Sequence, residues 1–295
     1  MAKKKKNKQP AKKRNRGKVI ELNRSFLDES VNLEEKQTLK KFHKKYYLPI
    51  DTTKILENVK KIDNFSLYLN KIEVYNFENK KNKLPKPFVP ENYERIAQNY
   101  YKKIEQLNLI RDKLELIADE RLIIGLGGAS VYETSLTLHH IYGVPYIPGS
   151  AIKGSFRSYL IEKRFNNNEK EAIDKDWFKK IFGSEKSQGK VIFFDAFPIG
   201  DLKIFKDIIN PHYQDYYSDD KNKVYPTDDQ SPVPIPFLVV EGKFKFVFGV
   251  KENLEIDIKG DKRKVLEFVK ENLEKSLKEF GIGAKTAVGY GYFKK

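Results

Sequence analysis

The residues best suited to bind an anion surround a turn followed by a helix, in the sequence PGSAIKGSFRSYL. Pro148 and Gly149 favour the turn, and Ser150 is a suitable N-cap because its hydroxyl can accept a hydrogen bond from a free backbone N–H. Lys153 and Arg157 are four residues apart, so a helix places them on one face, near a helix start that attracts anions. The segment therefore predicts a phosphate-binding site. The plainer interpretation is a capped helix with a solvated basic face.

The C-terminal sequence GIGAKTAVGYGYF is a second candidate for phosphate binding. Gly281, Gly283, Gly289 and Gly291 have no side chains, so the loop can approach a phosphate closely, and Lys285 adds a positive charge. Contacts of this kind bind the backbone of a nucleic acid without reading its bases. The predicted fold brings this loop near the start of the basic helix.

Histidines and acids elsewhere are weaker candidates for catalysis or metal binding. His139 and His140 are adjacent, so on a strand they would point to opposite faces and cannot form one metal site by themselves. Asp195 follows a strand; it is either a catalytic or metal-binding carboxylate or, more commonly, the cap of a turn. The chain has no cysteine and no complete nucleotide-binding motif, so no metal or other cofactor is predicted.

The positive charge of the chain is concentrated at its N-terminus. Of the +16 net charge, ten positive charges lie in residues 1–20, which contain no acid. Such a tail is expected to be disordered when free and to attract polyanions, RNA or DNA more readily than a membrane. It has no apolar stretch typical of a signal peptide, and no later segment is apolar enough to span a bilayer. We therefore expect a cytoplasmic protein without membrane association.

The first third of the chain is predicted to be helical and basic. A short basic helix is predicted at 32–47, and apolar residues that recur at helical spacing predict two further helices at 51–72 and 96–117. A linker rich in proline and lysine, at 80–90, separates the last two.

From residue 121 the pattern changes to short strands and helices. Leaving out insertions gives the order β-α-β-β-α-β, with strands at 121–126, 190–197, 237–250 and 288–294 and helices at 150–164 and 262–280. This is the order of the ferredoxin-like fold, an α+β arrangement with both helices on one face of an antiparallel sheet. The predicted domains are a disordered basic tail at 1–20, an N-terminal helical region at 21–118 and a ferredoxin-like domain at 119–295.

The segment Ile199–Pro236 is predicted to be a long irregular loop inside this domain. Loops of that length in compact domains are commonly functional. Its tyrosines are suited either to stacking on bases or to packing on a partner protein, and the sequence does not separate the two.

Two of these sequences together carry a resemblance to a known family. IPGSAIKGSFRSYL resembles the Pro-Gly-Ser-x-Lys-Gly-x-Arg block of the RAMP superfamily, the repeat-associated proteins of CRISPR effector complexes. GIGAKTAVGYGYF resembles the C-terminal glycine-rich loop of that family, and the similarity extends over residues 119–295. Within the family, the stretch RLIIGLGGASVYETSLTLHHIYGVPYIPGS is most similar to one subunit of the Cmr (type III-B) effector.

The resemblance implies a non-catalytic subunit that binds CRISPR RNA (crRNA), in antiviral defence against foreign RNA. It would hold the guide backbone at the head of the complex, near the guide 3′ end, through Gly149, Ser150, Lys153, Arg157 and the glycine-rich loop. Its partners would be crRNA, target RNA, neighbouring RAMP subunits and a small helical subunit of the Cmr complex. The alternative within the superfamily is a metal-independent endoribonuclease that processes CRISPR RNA, with a histidine near the glycine-rich loop as general base.

Overall fold

The computed structural model describes residues 63–71, 84–210 (except 129, 131 and 133) and 234–295, together with two short strands near the N-terminus. The chain separates into two compact units, residues 1–61 with 71–82 and residues 62–70 with 83–295. In the first unit, strand β1 (Val19–Ile20) pairs antiparallel with strand β2 (Tyr46–Tyr47). Tyr46 and Tyr47, predicted to end a helix, are therefore in a strand.

Several predictions fall on residues outside those described. They concern the tail before Val19, the helices predicted at 32–47 and 51–72 up to residue 62, and the loop between residues 211 and 233. From the second of these helices, the described part is helix α1 (Phe65–Lys71), with Phe65 and Leu69 buried at helical spacing as predicted.

The long helix predicted at 96–117 is wrong in its second half. Helix α2 (Tyr93–Glu105) ends there, and the chain continues as strand β3 (Ile110–Ala118). In this strand Leu114, Leu116 and Ala118 are buried while their neighbours are more exposed, so the true period is two. The apolar residues Ile110, Leu114 and Ile117 matched helical spacing by coincidence.

The remaining elements continue to the C-terminus. In chain order they are α3 (Gly149–Phe165), α4 (Glu169–Asp174), α5 (Asp176–Phe182), β4 (Gly183–Ser184), β5 (Ser187–Gln188), β6 (Ile192–Phe193), β7 (Phe197–Ile209), β8 (Ile235–Val250), β9 (Glu255–Ile258), β10 (Asp261–Lys264), α6 (Val265–Glu279) and β11 (Phe293–Lys294).

The central sheet has the order β11, β3, β8, and then β6 and β7, which both pair with β8. Every one of these pairings is antiparallel. Leu114 lies opposite Phe246 and Leu116 opposite Phe244, so the inward residues of β3 and β8 share one face. Helices α3 and α6 contribute Phe156 and other apolar residues to the same core. The predicted mixture of helices with an antiparallel sheet is confirmed.

The boundaries of other predicted elements shift for local reasons. The strand predicted at 190–197 is interrupted at Asp195, and the helix predicted from residue 262 begins at Val265, after the β9–β10 hairpin. The strand predicted at 121–126 is reduced to one bridge between Leu122 and Val240, and β7 extends through residues predicted to be irregular. Trp177 of α5 is buried.

Tyr101 connects helix α2 to the middle of the sheet. The Tyr101 hydroxyl donates to the carbonyl oxygen of Lys245 in β8 at 2.6 Å and accepts from the N–H of Phe197 in β7 at 2.8 Å. The register of β7 against β8 shifts just beyond this point, between Pro198 and Leu202. The hydroxyl therefore satisfies backbone groups where the ladder is irregular. Within the described part of the chain, no helix is long and apolar enough to cross a bilayer.

Candidate nucleic-acid interface

Helix α3 begins one residue earlier than predicted, and its cap is different. Pro148 occupies the N-cap position, with no side-chain cap of its own. The N–H of Gly149 donates to Oδ1 of Asp195 at 2.7 Å. Asp195, in the segment between β6 and β7, therefore caps the helix. Ser150 is exposed in the first turn, and the prediction that Ser150 is the cap is wrong. A carboxylate at this helix start also offsets the attraction for an incoming anion.

The predicted buried face of α3 is confirmed by the burial of Ile152, Phe156, Tyr159 and Leu160. On the basic face, Lys153 is half-buried and has no ion-pair partner among the described residues. Arg157, in contrast, contacts Glu169 of α4, with 2.7 Å between Nη2 and Oε1. Its guanidinium also lies 5.5 Å from the ring centroid of Phe178 in α5. Arg157 is thus largely engaged within the chain.

In the glycine-rich loop, residues 281–291, three of the four glycines lie where the packing of the chain leaves no space for a side chain. A Cβ added at Gly283 would collide with the carbonyl oxygen of Ile123, and one at Gly291 with that of Ile282. A Cβ at Gly281 would lie 2.8 Å from the carbonyl oxygen of Gly291. All have positive φ, a conformation that glycine adopts without strain.

Ala287, Val288 and Gly289 form a continuous exposed part of this loop. Gly289 has φ +100°, and a Cβ there would meet nothing within 4 Å. Lys285 is left-handed, with φ 61°, and its carbonyl oxygen accepts from the N–H of Val288 at 3.1 Å. Its ammonium group has no carboxylate partner within the described residues. The loop thus combines a fixed backbone with one unpaired cation.

The segment that follows strand β3, at Arg121 and Ile123, holds the glycine-rich loop in place, which the sequence did not indicate. The carbonyl oxygen of Arg121 accepts from the N–H of Gly291 at 2.8 Å, and that of Ile123 accepts from the N–H of Ala284 at 2.9 Å. The Tyr290 hydroxyl donates to Asp207 at 2.9 Å, and Arg121 contacts the same carboxylate at 2.7 Å. Burial alone would raise the pKa of Asp207, but the N–H of Ile208 and the Arg121 guanidinium outweigh it and hold this pKa below its ordinary value.

The loop contacts helix α3, as expected, but on a different side from the basic residues. The Ser155 hydroxyl donates to the carbonyl oxygen of Gly281 at 3.0 Å. Ser155 lies two residues from Lys153 and two from Arg157, which is about 200° around a helix axis. The two predicted phosphate-binding groups therefore flank α3 instead of meeting on one surface.

His139 and His140 do not lie on a strand, and their rings do not point to opposite faces, contrary to the prediction. Their rings are stacked, with centroids 5.2 Å apart, and His139 also stacks on Tyr142 at 4.6 Å. The other ring contacts of His139 involve Tyr146 and Phe197. Among the described residues, none of its ring contacts reaches the glycine-rich loop. No cluster of three or more histidine or acidic residues in this part of the chain is arranged to hold a metal ion.

Comparison with known proteins agrees with this architecture. A family model, RAMP superfamily, matches residues 113–294, which is more than half of the chain. The chain therefore belongs to the RAMP superfamily, and the predicted resemblance is confirmed.

The most informative relatives are subunits of one kind of CRISPR complex. The chain is 34% identical over 255 residues to CRISPR system Cmr subunit Cmr6 of Pyrococcus furiosus, covering 68% of this chain and 72% of the relative. It is 25% identical over 215 residues to Cmr6 of Saccharolobus solfataricus, covering 69% and 64%. The fold is also similar to a chain in the cryo-EM structure of the type III-B Cmr-beta bound to cognate target RNA. That match has a TM-score of 0.51 and 26% identity, covering 69% of this chain and 65% of the other.

Proposed function

We propose that this protein is a non-catalytic crRNA-binding subunit of a type III-B CRISPR (Cmr) effector complex, acting in the cytoplasm in antiviral defence against foreign RNA. The observation that carries the proposal is the 34% identity to Cmr6 of Pyrococcus furiosus over 68% of the chain. The proposed position is the head of the complex, near the guide 3′ end. The proposed partners are crRNA, target RNA, neighbouring RAMP subunits and the small helical subunit of the complex.

We further propose that the RAMP domain is ferredoxin-like and follows a basic N-terminal region with a disordered tail. The strand order β11, β3, β8, β7 supports this fold, because it corresponds to 4-1-3-2 in a β-α-β-β-α-β unit. Strand β3 belongs to that sheet although it precedes residue 119. We therefore place the start of the domain ahead of Ile110, and the helical region before it.

Guide backbone is proposed to bind along both sides of helix α3. On one side lie Lys285 and the exposed backbone around Gly289, and on the other lies Lys153. Gly149 and the remaining loop glycines then support these contacts by fixing the backbone, Arg157 holds α3 against α4, and Ser150 is an exposed residue in the first turn of α3. This division follows from the pairing of Arg157 with Glu169, which already neutralises much of its charge.

The local geometry of His139 favours the non-catalytic proposal over the endoribonuclease. Burial, followed by the charge of His140, lowers the pKa of His139, so its imidazole is neutral at pH 7. Its Nδ1 accepts from the N–H of Ile141 at 3.3 Å, which leaves the proton on Nε2. The lone pair of this imidazole is therefore already engaged by the backbone, which makes His139 a poorer general base than a free histidine.

Reconstitution of the effector with labelled crRNA tests the proposal. We expect the chain to co-purify with the complex, to protect the 3′ region of the guide and to leave repeat-containing RNA uncut in EDTA. Failure to associate with crRNA or with the complex would contradict the subunit assignment. Cleavage in EDTA that is lost in His139→Ala would instead support the endoribonuclease.

Salt titrations of RNA binding test the residue assignment. Lys153→Gln and Lys285→Gln should each lower the slope of log affinity against log salt by about 0.7, the value for one lost phosphate on a single strand. Arg157→Gln should change the slope less. Lys186→Gln, in the exposed turn between β4 and β5, is the matched control and should leave the slope unchanged. Equal effects of all four substitutions would show that the binding is not located at helix α3.

A further inference from the structure

A cavity of about 300 Å³ lies beside helix α2, away from the glycine-rich loop. One wall is formed by Arg95, Asn99 and Lys103 of α2, and the opposite wall by His139 and Tyr142. The lining also includes the buried ring of Phe197 and the half-buried Tyr100 and Asp195, the residue that caps α3. All these residues belong to the compact unit 62–70 with 83–295.

The wall opposite α2 is a ladder of stacked rings. His139 stacks on His140 with an angle of 10° between the ring planes, and on Tyr142 with an angle of 23°. Tyr142 is 41% exposed, so the ladder ends at an accessible ring. A planar base can extend such a ladder, and stacking of this kind is independent of base identity because every base has a π-face.

The turn that carries the ladder is fixed by the start of helix α1. The Asn64 side-chain amide donates to the carbonyl oxygens of His140, at 3.1 Å, and Ile141, at 2.7 Å. Gly143 has φ +66°, and a Cβ there would collide with the backbone N of Phe65. Because the turn is already ordered, binding at Tyr142 costs little further conformational entropy.

The wall formed by α2 provides positive charge. Arg95 and Lys103 are exposed, and neither has an ion-pair partner within the described residues. They are eight residues apart, which places them about 12 Å apart along the helix axis, with Asn99 between them. Burial, followed by the charge of Asp195, raises the pKa of Tyr100 to about 12, so its hydroxyl keeps its proton beside them. Two cations thus face a ring ladder across the cavity.

We propose that this cavity binds a single-stranded segment of RNA, with one base stacked on Tyr142 and the adjoining phosphates at Arg95 and Lys103. The inference rests on the proposed function and adds a second RNA contact to it, made by side chains. An acidic protein segment would also be attracted by the two cations. Such a segment has no bases to stack on the ring ladder, so the combination of two cations with stacked rings favours RNA.

Binding of a fluorescent oligouridine of about twelve nucleotides to the full chain tests the inference. Tyr142→Leu should weaken binding about tenfold, because it removes one stacking platform, whereas Tyr142→Phe should bind like the unmodified protein. Lys103→Gln should lower the salt slope by about 0.7. Lys102→Gln is the matched control, since Lys102 is an exposed neighbour on α2 outside the cavity. With 5-iodouridine in the RNA, photo-cross-linking should label Tyr142.

The outcomes separate this inference from the proposed function. If Tyr142→Leu binds RNA normally while Lys285→Gln binds weakly, the cavity is not an RNA site and the proposed function stands. If the unmodified chain binds no RNA at low salt, both are wrong. If Tyr142→Leu changes association with neighbouring effector subunits but not RNA affinity, the surface is a protein contact and the inference is wrong. Thermal unfolding of each variant establishes that the fold is intact.

Discussion

The glycine-rich loop and the cavity beside α2 use their residues in opposite ways. In the loop, a Cβ added at Gly281, Gly283 or Gly291 would lie too close to a carbonyl oxygen of the chain itself, and of the four loop glycines Gly289 alone has space for one. In the cavity, the side chains of Arg95, Lys103 and Tyr142 remain accessible to a ligand. The difference teaches that a recognisable motif marks where the backbone is constrained, whereas the groups free to bind a ligand lie partly outside any motif.

The largest expected effect separates two glycines within the loop. Gly283 and Gly289 have φ values of +101° and +100°, but only at Gly283 would a Cβ collide with a backbone oxygen. Gly289→Ala should therefore lower the free energy of unfolding by about 1–2 kcal/mol through the left-handed backbone alone. Gly283→Ala should cost about 4 kcal/mol, because the Ala284 hydrogen bond to Ile123 must also move. Urea denaturation measures both, and equal losses would show that the loop is not packed as described.

A smaller effect is expected at the start of helix α3. Asp195→Ala removes the acceptor of the Gly149 N–H and should lower the free energy of unfolding by about 1 kcal/mol. Asp195→Asn retains an acceptor oxygen and should cost less. Ser150→Ala should change stability by less than about 0.5 kcal/mol, because Ser150 is exposed and caps nothing. If Ser150→Ala lowers the free energy of unfolding more than Asp195→Ala does, Ser150 and not Asp195 is the cap of helix α3.

The smallest effect is a pH dependence from the ring ladder. Burial and the charge of His140 lower the pKa of His139 in the folded protein, so the unfolded chain binds the proton more readily. The contribution of His139 to the free energy of unfolding should be fully present above about pH 6.5, the ordinary histidine pKa, and should be lost as the pH falls below it. His139→Phe keeps a stacking ring but cannot titrate, so denaturation at several pH values should show a shallower decline. The same decline in this variant would assign it to other groups.

Local signals were enough to predict helix α3 and its buried face, and the predicted fold placed the glycine-rich loop near this helix. The pattern of Ile152, Phe156 and Leu160 is unambiguous, and the turn before it follows from Pro148 and Gly149. The side of the helix that the loop approaches could not be predicted, because it depends on the tertiary path of the chain through Ser155.

Strand β3 and the cavity were missed for two different physical reasons. In β3, Ile110, Leu114 and Ile117 satisfy a helical period, and burial of Leu116 is what reveals the strand. The cavity combines residues from α2, the turn at Tyr142 and the segment at Asp195, which are distant in sequence. The spacing of Arg95, Asn99 and Lys103 was a signal in principle, but the solvated face of any helix looks the same.

The hydrogen bonds of Tyr101 set a practical limit on how this protein can be divided. The match to the RAMP superfamily starts at residue 113, so a fragment cut there would lack helix α2 and with it Tyr101. The carbonyl oxygen of Lys245 and the N–H of Phe197 would then lose their partner in the middle of the sheet. An expression fragment intended to fold alone should therefore begin before Tyr93, even though the recognisable family sequence begins later.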